Sequence, residues 1–173
     1  TPIVMDGRLY TIQRAEPSTA REGEKVVCLD AATGETIWEN RYNVWLSDVP
    51  AERVGWSSPV GDAETGNVYV LGSCDIFMCI NGETGKVVWQ RPLHEQFGML
   101  SSYGVRTNFP IIHEDLVIIS GIIINWGDAA KPNHRLIAMD KRTGKVIWFS
   151  GTKDLPYDTT YSAPSIVTID GQL

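Results

Sequence analysis

One nine-residue phrase occurs three times in this chain: Asp30-Ala-Ala-Thr33-Gly34-Glu35-Thr-Ile-Trp38, Asn81-Gly-Glu-Thr84-Gly85-Lys86-Val-Val-Trp89 and Asp140-Lys-Arg-Thr143-Gly144-Lys145-Val-Ile-Trp148. Each copy reads Asp or Asn, two variable residues, Thr-Gly, a charged residue, a variable residue, Ile or Val, and Trp. Successive Trp residues stand 51 and 59 positions apart. A period of this size implies stacked copies of one supersecondary unit, each dependent on its neighbours to bury its apolar faces. It also sorts the residues. Those that recur serve the repeat, and those that break it are the candidates for function.

An apolar run precedes each phrase (Lys25–Leu29, Ile76–Ile80 and Arg135–Met139), and a β-branched residue and the Trp close it. The phrase is therefore the turn of a β-hairpin. Gly34, Gly85 and Gly144 supply the positive φ that a type I turn followed by a left-handed residue requires. Asp30, Asn81 and Asp140 accept hydrogen bonds from turn amides through a short side chain, so Asn can replace Asp and no acid chemistry is needed. Thr33, Thr84 and Thr143 belong to the same turns. Trp38, Trp89 and Trp148 lie on the outgoing strand, where an indole covers the edge of the next unit and finds a partner for its N–H. These twelve residues are expected to hold repeat to repeat.

A second hairpin precedes each phrase. Asp6-Gly7 in the first copy is a strong two-residue turn signal, and its counterparts are Asp62–Asn67 and His113–Asp115. Pro2, Pro59 and Pro110 open these hairpins, which suits a first strand residue that owes no ladder donor. Each repeat thus has four strands in meander order, and tandem four-stranded antiparallel units build a β-propeller. The fold class expected is all-β, with repeats at about 2–58, 59–109 and 110–163. Pro164-Ser-Ile-Val-Thr-Ile-Asp-Gly-Gln-Leu173 echoes the opening Pro2–Leu9 and starts a further first hairpin. Three repeats and part of a fourth do not close a ring, so the chain is expected to be a portion of a larger one, of roughly seven or eight blades.

The net charge of −6 provides no basic footprint, which disfavours nucleic acid and anionic membrane surfaces as partners. The longest apolar run, Leu116–Asn125, is too short to span a bilayer and reads as two buried strand segments around a Ser-Gly kink. Cys28 and Cys79 occupy a small apolar position filled by Ala138 in the third copy, so buried free thiols are expected. Cys74 and Cys79 are placed to approach across a hairpin, but their spacing fits no zinc pattern. His94, His113 and His134 share no metal-ligand spacing and read as solvated loop histidines. No nucleophile elbow and no phosphate loop is present.

The Thr-Gly turns resemble those of the pyrroloquinoline-quinone (PQQ) repeat family. That family carries Ala-x-Asp-x-x-Thr-Gly-x-x-x-Trp in each blade; Ala138–Trp148 matches in full, and the other copies differ at Cys28, Cys79 and Asn81. The resemblance runs along essentially the whole chain. It implies a propeller fold shared by quinoprotein alcohol and glucose dehydrogenases, by the outer-membrane assembly factor BamB, and by extracytoplasmic sensor domains of some bacterial kinases. The dehydrogenases of this type use PQQ with calcium, usually beside a disulfide between adjacent cysteines, and an Asp base. This sequence has no adjacent cysteines, and no acid stands out as a base, so no catalytic residue and no metal ligand is assigned.

The residues that break the repeat at the expected channel mouth are Trp56, Arg106, Asn108 and Tyr161. An aromatic there stacks on a planar ring or grips a peptide, and an arginine pairs with a carboxylate; equally, such residues plug the channel and cap strand ends. Two longer excursions, Asn40–Val54 and Trp126–His134, carry Trp45 and Trp126, which either dock a partner or pack on their own blades. The function expected from the resemblance is a non-catalytic extracytoplasmic scaffold for protein or peptide partners, with no cofactor. The alternatives are part of a PQQ- and calcium-dependent dehydrogenase, or a sensor propeller attached to a membrane kinase.

Overall fold

The computed structural model describes residues 1–44, 55, 57–97, 99, 109–121, 135–151 and 164–169. These form three antiparallel four-stranded sheets, each a meander in chain order. The first holds β1 (Ile3–Met5), β2 (Arg8–Ala15), β3 (Gly23–Asp30) and β4 (Thr36–Asn43); the second β5 (Val60–Asp62), β6 (Asn67–Leu71), β7 (Ile76–Asn81) and β8 (Val87–Pro92). The third holds β9 (Ile111–His113), β10 (Leu116–Gly121), β11 (Arg135–Asp140) and β12 (Val146–Gly151). Pro2, Pro59 and Pro110 each stand immediately before the first strand of a sheet, where no ladder donor is missed.

The three repeated turns share one geometry. Gly34, Gly85 and Gly144 have φ of 76°, 72° and 69°. Each donates its N–H to the carbonyl of the turn Asp or Asn, at 2.8–2.9 Å. The Asp30 carboxylate accepts from the amides of Ala32 and Thr33 and from the Thr33 hydroxyl; Asn81 and Asp140 hold their Thr in the same way. The Thr hydroxyl in turn accepts from the amide two residues on. Just past each turn the outer strand bulges. Trp38, Trp89 and Trp148 pair with Cys28, Cys79 and Ala138, but the next register pair skips a residue, leaving Ile37, Val88 and Ile147 as the extra one.

The core lies between sheets. Strand β6 alternates: Val68 and Val70 face the first sheet with Tyr10, Ile12, Val26 and Cys28, whereas Tyr69 and Leu71 face the third with Val117, Ile119, Ile137 and Met139. Strand β7 divides likewise, with Met78 and Ile80 on one side and Phe77 and Cys79 on the other. The second sheet is therefore covered on both faces, which is why its strands read as continuous apolar runs.

Several expectations need correcting. Asn40–Asn43 belong to β4 and are not part of a linking loop, because β3 starts early enough at Gly23 to pair with Asn43. His113 ends β9 and is half-buried, and His94 sits on a short helix, α1 (Leu93–Phe97), that caps the second sheet through buried Leu93; neither is a solvated loop histidine. Leu116–Gly121 is one strand running through Ser120 to Gly121, and the remainder of that apolar run lies outside the described residues. Cys28 and Cys79 are buried free thiols. Pro164–Ile169 show only an isolated bridge at Ile169.

Candidate functional site

Across each sheet, three side chains stand in one row: Tyr10–Cys28–Trp38, Tyr69–Cys79–Trp89 and Ile118–Ala138–Trp148. In the first two rows the aromatic pair converges on one atom of the next sheet. The Tyr10 hydroxyl and the Trp38 indole N–H both donate to the Gly82 carbonyl, at 3.1 and 3.0 Å. The Tyr69 hydroxyl and the Trp89 N–H both donate to the Lys141 carbonyl, each at 3.0 Å. One buried carbonyl thus has both lone pairs satisfied by the neighbouring sheet, and two buried donors lose their desolvation penalty. The Trp38 and Trp89 indoles also pack against a turn glycine of the next sheet. A Cβ on Gly85 would stand 2.7 Å from Trp38, and one on Gly144 2.7 Å from Trp89. Burial of the Tyr10 hydroxyl and the nearby Cys28 push its pKa up to about 12, and burial drives Cys79 to about 12 as well, so both groups stay protonated and packed.

The two junctions differ in their further polar contacts. Between the first and second sheets, the fully buried Glu24 carboxylate accepts from the Gly55 amide (2.7 Å), the Ser73 amide (2.8 Å) and the Ser73 hydroxyl (2.7 Å). Asn40 donates to the Gly85 carbonyl at 2.9 Å. Between the second and third sheets the contacts are ionic. Lys141 is buried, with its ammonium 3.1 Å from Asp62 and 2.5 Å from Glu64, and Arg142 bridges Glu64 and Asp115. Burial pulls the Lys141 pKa down, but the hydrogen bonds to Glu64 and Asp62 outweigh it and hold it above the ordinary lysine value. Burial pushes Asp62 up, and hydrogen bonds from Thr65 and Lys141 more than offset this, leaving its carboxyl below the usual range. Gly82 occupies the position equivalent to Lys141 and admits no side chain, since a Cβ there would lie 2.5 Å from the Gly66 carbonyl oxygen.

On the outside, the bulge residue of each outer strand is exposed and apolar: Ile37 is 45% exposed, Val88 49% and Ile147 52%. Beyond the bulge β4 carries Glu39, which pairs with Lys25 at 2.7 Å, and Arg41; β8 carries Arg91 and ends at Pro92. Strand β12 carries no charge at all, and Phe149 remains 49% exposed although its ring meets Phe97 edge-on at 5.0 Å.

The channel-mouth candidates Trp56, Arg106, Asn108 and Tyr161 lie outside the described residues, as do Trp45, Trp126 and His134. Sequence reasoning missed Tyr10, Tyr69, Glu24, Asp62 and Lys141. The tyrosines had a signal, because each stands three residues after a hairpin glycine, Gly7 or Gly66. Among the described residues no group of His, Cys, Asp and Glu side chains converges as a metal set. The three carboxylates that do come near one another, Asp62, Glu64 and Asp115, face Lys141 and Arg142, whose cationic groups take the place a calcium ion would need. These residues do not fit a quinone–calcium centre.

Four-stranded meander sheets stacked face to face, the first two each handing an indole to the next, define a β-propeller of the repeat type. The family described as outer membrane protein assembly factor BamB matches residues 22–172, most of the chain, and the chain belongs to that family. None of the curated proteins compared with it matches. Among solved structures, the quinohemoprotein alcohol dehydrogenase of Comamonas testosteroni is similar over 87% of this chain and 20% of its own, at 24% identity and a TM-score of 0.58. The quinohemoprotein alcohol dehydrogenase ADHIIG of Pseudomonas putida HK5 is similar over 88% and 20%, at 24% identity and a TM-score of 0.61. BamB of Moraxella catarrhalis is similar over 90% and 48%, at 15% identity and a TM-score of 0.43. The chain spans less than half the length of each of these structures, and at 24% identity the likeness to the two dehydrogenases is one of fold.

Proposed function

We propose that the protein is a non-catalytic extracytoplasmic scaffold whose propeller rim holds protein or peptide partners. One observation carries this reading: Ile37, Val88 and Ile147 are exposed at the same bulge position on three successive outer strands. Apolar side chains repeated at one place on a rim make a surface suited to an extended partner. The polar groups of the repeated phrase, by contrast, are taken up within their own turns. Membership of the BamB family supports an extracytoplasmic setting, and no helix among the described residues is long and apolar enough to cross a membrane.

The test has two arms. Fluorescence anisotropy with a fluorescein-labelled peptide of alternating valine and threonine should give saturable binding. PQQ titrated with and without calcium should leave the tryptophan fluorescence unquenched beyond the inner-filter correction. Saturable, calcium-dependent quenching at micromolar PQQ would replace the scaffold with a quinoprotein dehydrogenase.

A further inference from the structure

We infer, on the footing of the scaffold reading above, that the outer edge of β12 beyond its bulge, Trp148–Gly151, is where an extended, uncharged segment of a partner polypeptide adds as a fifth strand. β4, β8 and β12 each stand at the end of their sheet's strand order, so each presents backbone donors and acceptors with no strand beside them among the described residues. All three carry a bulge at the start, which blunts the first part of the edge equally. The difference lies beyond the bulge.

Two of the edges carry the devices that keep strands from pairing. Glu39 and Arg41 place opposite charges along β4, so an apolar strand laid there would strip water from both. On β8 Arg91 is held to Gln96 at 2.7 Å, and Pro92 has no N–H to offer. β12 reads Val-Ile-Trp-Phe-Ser-Gly, with neither charge nor proline, and both Ile147 and Phe149 are about half exposed. It is the unprotected edge of the three.

The same residues describe the occupant. No charge lies opposite an added strand along Val146–Gly151, and the first one met is the exposed Lys145 at the strand's start. The complementary segment is therefore uncharged over four or so residues, apolar where it meets Phe149, and acidic where it reaches Lys145.

The test uses the whole chain and a fluorescein-labelled peptide, Val-Thr-Val-Thr-Val-Thr-Asp, whose C-terminal Asp reaches Lys145 when it adds antiparallel to β12, read by anisotropy. Ile147→Lys combined with Phe149→Lys should weaken binding at least tenfold, whereas Val4→Lys, at an exposed position on β1, should leave it within twofold. A peptide N-methylated at alternate amides, with its side chains intact, should lose binding to the unaltered protein, and this arm does not depend on any variant folding. Replacing the peptide's Asp by Lys should also weaken it. If the peptide binds and the β12 variant or the N-methylated peptide binds as well as the reference, the strand-addition site is wrong while the scaffold stands. If no peptide binds at any of the three strands, the scaffold reading itself falls. A mass that doubles with concentration and is abolished by the β12 lysines would assign the edge to a second copy and overturn the choice of occupant.

Discussion

The junction between the first and second sheets and that between the second and third use the same two donors for the same purpose, yet share none of their remaining polar contacts. Tyr10 with Trp38, and Tyr69 with Trp89, each satisfy a single carbonyl in the next turn. Around that shared contact the first junction buries a carboxylate among neutral donors, and the second buries an ammonium among carboxylates. The row of aromatics is repeatable because it needs only a backbone acceptor, which every copy of the turn supplies. The charged contacts need a matching side chain on the facing sheet, so they are specific to one pair of sheets and help to fix which blade follows which.

The largest effects should come from removing a buried charge from one junction only. Lys141→Met leaves Asp62 buried without its cation and should cost about 3 kcal/mol or more in urea unfolding. Amide exchange should rise in β9–β12 first and in β1–β4 least. Glu24→Leu strands the Ser73 amide and should cost about 3 kcal/mol, with the pattern of exchange reversed. Equal exchange in both sheets for either variant would mean that the junctions are not independent.

Next come the turn glycines, which separate backbone strain from inter-sheet packing. Gly85→Ala meets a left-handed φ and the Trp38 ring together and should lose about 3 kcal/mol. Gly34→Ala has nothing within 4 Å and should lose only the conformational part, about 1 kcal/mol. Equal losses would show that the indole yields at no cost.

Tyr10→Phe and Tyr69→Phe should be the mildest and the most alike, at about 1 kcal/mol each, since the indole still satisfies the carbonyl. A difference of more than a factor of two between them would contradict a shared contact.

The pH dependence sharpens the contrast without a truncation. Asp62 has a lowered pKa in the folded state, so its stabilisation is present above the ordinary carboxylate value and is lost as pH falls through the lowered one. Lys141 has a raised pKa, so its share is complete below the ordinary lysine value and is lost as pH rises through the raised one. The ionic junction should therefore be at full strength from about pH 4 to about pH 10. Asp62→Asn should remove the acid-side fall in thermal midpoint that this pair contributes, and an unchanged acid limb would assign the fall to other carboxylates.

The sequence by itself determined the strands, the turns and the order in which they pair. Those rest on local chemistry: an Asp or Asn that bonds its own turn amides, a glycine at positive φ, and a period that sets four strands to a repeat. It also placed Trp38 and Trp89 on outgoing strands, and Cys28 and Cys79 in a position too small for anything larger. What only the tertiary structure decided was which atoms meet across sheets. Nothing near Tyr10 in the chain points to the Gly82 carbonyl, and Lys141 looks like one more solvated turn lysine until Asp62 and Glu64 arrive from a hairpin more than seventy residues earlier. The bulge is the same kind of fact, since one unpaired position in the ladder leaves Ile37, Val88 and Ile147 exposed on the outer strands. Turn chemistry is decided within a few residues of chain, whereas the burial of a charge and the exposure of an apolar side chain depend on what the neighbouring sheet brings up against them.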